Sequence, residues 1–225
     1  MNHPLQAISP VDGRYAEITE PLSPFFSESA IIRFRVMVEI EYFIALCKIP
    51  LPPLSRFRKQ YFNKLRSIYE VFSVKDALRV KEIEKETNHD VKAIEYYLKE
   101  RFIKLGMEDF TGFLHFGLTS QDINNTAFPI ALKDAFRQVI EPVLDEVMTE
   151  LVKRSQDWKA TPMLAHTHGQ PASPTTVGKE IYVFAERLGI QLTQLNTIPM
   201  SAKFGGATGN FNAHAAAYPD IDWIA

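Results

Sequence analysis

Apolar residues recur at helical spacing along most of the chain. Phe57, Tyr61, Leu65, Ile68 and Phe72 form one stripe, which predicts a helix over residues 55–72. Ser73-Val74-Lys75-Asp76 has the spacing of a capping box, and a further helix follows through Ala77, Val80 and Ile83. Residues 28–48 admit two patterns. Ile32, Phe34, Val36, Val38, Ile40 and Tyr42 alternate with charged residues, as in a strand, yet Ile32, Val36, Ile40 and Ile44 fall four apart, and so do Arg35 and Glu39. The run is long for a strand, so the expectation is a helix, ended by Pro50-Leu51-Pro52-Pro53.

Thr87-Asn88-His89-Asp90 interrupts the periodicity. Asp90, or one of the two residues before His89, is placed to cap a helix running from Val91 to Phe102 and ended at Gly106. Thr119-Ser120-Gln121-Asp122 again has capping-box spacing, and the helical pattern after Ile123 continues for about 35 residues, with Pro129 and Pro142 expected to distort it. So long a helix suits a bundle. A last stripe runs through Val177, Ile181, Phe184, Leu188, Leu192 and Leu195, with Ser173 the expected cap and Pro174 the first helical position. The fold class expected is all-α. The expected division is an N-terminal helical domain, residues 1–111, followed by the first part of a long-helix bundle, residues 112–225.

Composition narrows the function classes. The 225 residues carry a net charge of −2, which gives no reason to expect nucleic acid as a partner. No apolar run is long enough to span a bilayer, and the N-terminus lacks the features of a secretory signal. The single cysteine, Cys47, has no internal disulfide partner, and a cytoplasmic location is the simplest reading. No metal-ligand cluster at zinc-finger spacing is present.

Candidate chemistry centres on Ala165-His166-Thr167-His168-Gly169-Gln170-Pro171. The glycine and the prolines predict a stiff turn that fixes the imidazole of His168, and a fixed imidazole titrating near neutrality suits acid–base work. Taken alone, the pair of histidines also fits an inert polar loop. A cap explains Asn88 and Asp90 but not the histidine between them, and an Asp beside a His is able to orient its ring. The helix start at Thr119 and Ser120 offers free N–H groups to an anion. Arg14 and Tyr15 follow the Asp12-Gly13 turn and offer a guanidinium fork and a ring. Phe204-Gly205-Gly206-Ala207-Thr208-Gly209 matches no phosphate-loop fingerprint and reads as a close-packed turn.

Taken together, SPVDGRY (residues 9–15), TNHD (87–90), LTSQDINN (118–125), THGQP (167–171) and GATGNFNAH (206–214) resemble the adenylosuccinate lyases of the fumarase/aspartase superfamily, in order and in approximate spacing. The resemblance covers nearly the whole chain. It implies an all-helical homotetramer that eliminates fumarate from adenylosuccinate, giving AMP, and from the related succinyl-carboxamide ribotide. Neither a metal nor an organic cofactor is implied. By the same resemblance His168 is the general acid and His89 the second active-site histidine. Arg14, Tyr15, Asn88, Asp90, Thr119, Ser120, Thr167 and Gln170 are implied in substrate binding, while His115 lies in a matching segment without an assigned role.

The resemblance also implies a catalytic base, a serine on a mobile loop with a Met-Pro-His-Lys-type signature. These residues contain no such segment and none of the family's later substrate-binding positions. The expectation is an N-terminal portion holding part of a shared site, with little or no turnover alone. Two alternatives remain: a sister member of the superfamily resembling argininosuccinate lyase, and a non-catalytic helical assembly fragment.

Overall fold

The computed structural model describes residues 4–224, and the chain forms two compact units, residues 1–134 with 201–225, and residues 135–200. In the first unit, after a 3-10 turn at Pro4–Gln6, two single-turn helices, α1 (Ala16–Thr19) and α2 (Ser23–Phe26), joined by a 3-10 turn at Glu20–Leu22, lead into α3 (Glu28–Leu46). Ser27 caps α3 by accepting the N–H of Ala30 at 3.2 Å. The strand-like alternation of the sequence has a physical origin. Two steps along a helix turn it by about 200°, so burial of Ala30, Ile32, Phe34, Val36, Val38 and Ile40 means that nearly opposite sides of α3 are covered. A helix enclosed in this way has no single amphipathic stripe.

Around α3 stand α4 (Phe62–Glu70), α5 (Val74–Thr87) and α6 (Asp90–Lys104), followed by α7 (Ser120–Ala135). The predicted helix over 55–72 is shorter than its stripe; 3-10 turns at Pro52–Leu54 and Lys59–Tyr61 precede α4. Phe43, fully buried, meets Phe57 and Phe102 edge-on at centroid distances of 5.2 and 5.0 Å. The capping box forms as read: Asp76 Oδ2 accepts the Ser73 N–H at 3.0 Å, and Tyr97 donates to the other oxygen at 2.9 Å.

Residues 201–224 close the first unit through α10 (Asn212–Ala217), which follows the second unit's α8 (Glu141–Asp157), β1 (Pro162–Thr167), β2 (Gln170–Thr176) and α9 (Val177–Asn196) in the chain. His214 of α10 is fully buried among Phe116, Phe211 and Trp223, with its Nε2 2.7 Å from the Tyr42 hydroxyl. Because that hydroxyl donates to the Phe116 carbonyl at 2.7 Å, the ring nitrogen is the donor to Tyr42, which leaves Nδ1 bare and without a partner. Burial depresses the His214 pKa, despite the opposing pull of Asp122.

In the second unit α8 packs against α9, with the hairpin β1–β2 between them in sequence. Phe136–Ile140, just before α8, is π-helical, and the N–H of Glu141 reaches back to the Phe136 carbonyl. This is the distortion expected at Pro142, which has no N–H to offer a regular turn. Gly178 is required: a Cβ there would stand 2.2 Å from the Ser155 carbonyl oxygen. Among the described residues no helix is long and apolar enough to cross a membrane.

Two local expectations change. Residues 162–176 are not a loop before a helix but an antiparallel two-stranded ribbon, in which Pro171 pairs with His166 and Pro174 with Leu164. A proline is tolerated because each strand has one free edge. The helix after it begins at Val177, capped by Thr176 rather than Ser173.

Candidate active site

Every sequence-predicted site residue falls where secondary structure begins, ends or turns. Asn88 ends α5 in the left-handed region (φ 50°, ψ 35°), the conformation that reverses a helix end and that asparagine tolerates. The chain then becomes extended at His89, which is the N-cap of α6. Its Nδ1 accepts the N–H of Lys92 at 3.1 Å. The capping role expected of Asp90 or of a residue before His89 therefore belongs to the histidine itself. With Nδ1 committed as an acceptor, the proton of the neutral ring is on Nε2, which faces the Ser120 hydroxyl at 3.4 Å.

Ser120 opens α7. The N–H of Thr119 donates to Asp122 Oδ2 at 2.8 Å, completing the backbone half of the predicted cap. Asp122 is fully buried and has two further partners. Lys203 Nζ donates to Oδ1 at 2.8 Å, and the N–H of Gly206 donates to Oδ2 at 3.0 Å. Lys203 also donates to the Gly206 carbonyl. The glycine-rich turn is thus bolted to the first turn of α7.

Two charged pairs that periodicity did not show stand nearby on α3. Arg35 pairs with Asp90 at 3.0 Å, and Glu39 meets His115 Nδ1 at 2.5 Å, so that these two residues, four apart on α3 and able by spacing to pair with each other, turn to other elements. Burial works against a charged His115 ring, but the hydrogen bond and the charge of Glu39 outweigh it, so the His115 pKa is raised. Glu39 Oε2 and Arg35 Nε are buried without partners. Local sequence gives no signal for either pair, since the partners come from distant elements.

Arg14 and Tyr15 lie on the exposed turn before α1, the guanidinium 5.2 Å from the centre of the tyrosine ring. Among the described residues neither has a hydrogen bond to the His89–Ser120 pair. In the second unit, Thr167 and Gln170 face each other across the hairpin, and His168 and Gly169 form its two-residue loop with φ of 51° and 74°. Positive φ at both loop positions marks the primed turn that matches the twist of a hairpin. His168 is exposed at the tip, and no hydrogen bond to its side chain is present among the described residues. Among those residues no group of three or more His, Cys, Asp or Glu is arranged to hold a metal ion.

The arrangement of helices has counterparts among solved structures. Fumarate lyase from a Mesorhizobium species superposes with a TM-score of 0.68 at 20% identity, over 86% of this chain and 44% of that one. The beta-carboxy-cis,cis-muconate cycloisomerase of Acinetobacter calcoaceticus gives 0.65 at 19% identity, over 88% of this chain and 46% of that one. The fold is that of the helical fumarate-lyase-type proteins.

The family model described as lyase matches residues 13–225, and the chain belongs to that family. It is 52% identical to adenylosuccinate lyase of Dictyostelium discoideum, over 98% of this chain and 48% of that protein. Adenylosuccinate lyases of Legionella pneumophila strain Corby and Escherichia coli K12 are 46% and 41% identical, each over 97% of this chain and 48% of its own length. The chain spans about half the length of the curated relatives it matches.

Proposed function

We propose that these residues form the N-terminal portion of an adenylosuccinate lyase, which eliminates fumarate from adenylosuccinate and from the succinyl-carboxamide ribotide of purine synthesis. The observation that carries the reading is the meeting of His89 with Ser120. It joins TNHD to LTSQD in a chain 41–52% identical to proteins of that name.

Elimination needs an acid for the leaving nitrogen, a base for the carbon acid and groups that stabilise the dianionic intermediate. In this reading His168 supplies the acid from the hairpin tip. Thr119 and Ser120 hold the succinyl carboxylates at the start of α7, where N–H groups and the helix dipole favour an anion. His89 donates from Nε2 to the same end of the substrate, flanked by Asn88 and Asp90. Arg14 and Tyr15 take the nucleotide, and Thr167 and Gln170 line the acid. The base and the remaining substrate groups come from outside these residues, in a homotetramer in the cytoplasm.

Loss of adenylosuccinate absorbance and appearance of fumarate test the reading. Turnover is expected from a protein that includes the rest of the relatives' length, and little or none from the 225-residue chain alone. A full-length protein that binds AMP yet leaves adenylosuccinate intact would overturn it.

A further inference from the structure

We infer that Arg35 is a positioning residue for His89: it occupies the Asp90 carboxylate and so keeps the histidine in its Nε2–H form, aimed at Ser120. The inference rests on the reading above only for what His89 is used for; the geometry stands without it. Asp90 follows His89 directly, and its Oδ1 lies 3.6 Å from His89 Nδ1. A free carboxylate beside an imidazole nitrogen draws the ring proton to that nitrogen. Here the carboxylate is not free. Oδ2 is paired with Arg35 at 3.0 Å, and Oδ1 accepts the N–H of Val91 at 2.8 Å. His89 Nδ1 is left to accept from Lys92, and the proton stays on Nε2.

Arg35 is built into this place. Its side chain is 13% exposed, its guanidinium lies 5.9 Å from the centre of the Phe128 ring, and its Nε is buried with no acceptor. A buried donor left unpaired is unfavourable. The hold on Asp90 is what the side chain gains for that loss, and Asp90 touches His89.

The ring nitrogens of His89 report the tautomer directly by nitrogen-15 NMR on the 225-residue protein, without turnover. In the unaltered protein Nε2 is expected to carry the proton in the neutral ring. Arg35→Met keeps the apolar stem and removes the charge. It is expected to exchange the two signals, so that Nδ1 becomes the protonated nitrogen. Arg35→Lys is expected to preserve the original pattern, and the double change Arg35→Met with Asp90→Asn to restore it. A folded Arg35→Met protein whose His89 remains Nε2–H would overturn the inference, and so would a double variant that behaves like Arg35→Met alone. Should Arg35→Met fail to fold, Arg35→Leu, which also offers no donor to Asp90, is read by the same two outcomes. Because no substrate is involved, failure here leaves the lyase reading untouched, and failure of the lyase assay leaves this result standing.

Discussion

Asp122 accepts the backbone N–H of Gly206 at 3.0 Å across 84 residues of sequence. The same oxygen takes the Thr119 N–H, and the other oxygen takes Lys203. One buried carboxylate therefore fixes both the start of α7 and the glycine-rich turn.

Removing that carboxylate leaves two backbone donors and a cation without their acceptor. Asp122→Ala is expected to destabilise the first unit by about 2–4 kcal/mol, from the lost charge-assisted bonds and the unpaired donors. Lys203→Met should cost less, because both amide bonds to the carboxylate survive. Urea unfolding followed by circular dichroism measures both. Equal losses would mean that the lysine, not the amides, dominates.

Most helices of this chain are legible because their stripes are local, whereas α3, covered on nearly opposite sides, is legible chiefly by its length. The capping box at Ser73 and Asp76 formed as its spacing predicts. The start of α7 was legible for the same reason. What escaped was non-local or disguised. Arg35 finds Asp90, and Glu39 finds His115, through packing that no window of sequence contains. The hairpin is hidden by Pro171 and Pro174 in its second strand: the first suggests a stiff turn and the second a helix start, although both stand in β2. Capping by Asn88 or Asp90 leaves His89 unexplained in the sequence, and the reason is that its own ring is the cap.

Gly117 has φ of 69°, and an added Cβ would lie 2.6 Å from the His214 ring. Gly117→Ala thus combines a left-handed alanine with a clash against a fully buried side chain. A loss of about 2–4 kcal/mol is expected. Gly106→Ala is the control, since it has φ of 71° and open space around it, and only the conformational part, about 1–2 kcal/mol, should appear. Thermal unfolding of the two variants separates the terms.

Stability should also depend on the His115–Glu39 pair. The folded His115 pKa lies above its unfolded value, so the folded state binds the proton more tightly. That contribution is complete below about pH 6.5, the ordinary histidine value, and is lost as pH rises through the raised folded pKa. Unfolding free energy measured across that window should fall with rising pH, and Glu39→Gln should flatten the fall. An unchanged slope in the variant would assign the dependence to another group.

Cys47 offers a chemical check on the first unit. Burial pushes its thiol up to about 12, so almost none is thiolate at pH 8. Alkylation by iodoacetamide should be slow in the native protein and rise to the rate of a free cysteine in denaturant. Rapid native labelling would mean that the end of α3 opens readily.

His168 is the residue on which the proposed chemistry depends most, and its backbone limits the useful replacements. The turn needs positive φ at this position, and asparagine tolerates it where alanine resists it. His168→Asn should therefore keep the hairpin and remove the acid. In a protein spanning the relatives' full length, turnover should fall by roughly 10²–10⁴-fold, the usual worth of a general acid. Affinity for AMP should change little. His168→Ala confounds loss of the acid with strain in the turn, so a larger stability loss in the alanine variant, at equal loss of turnover, would separate the two roles. Full activity in the asparagine variant would place the acid elsewhere.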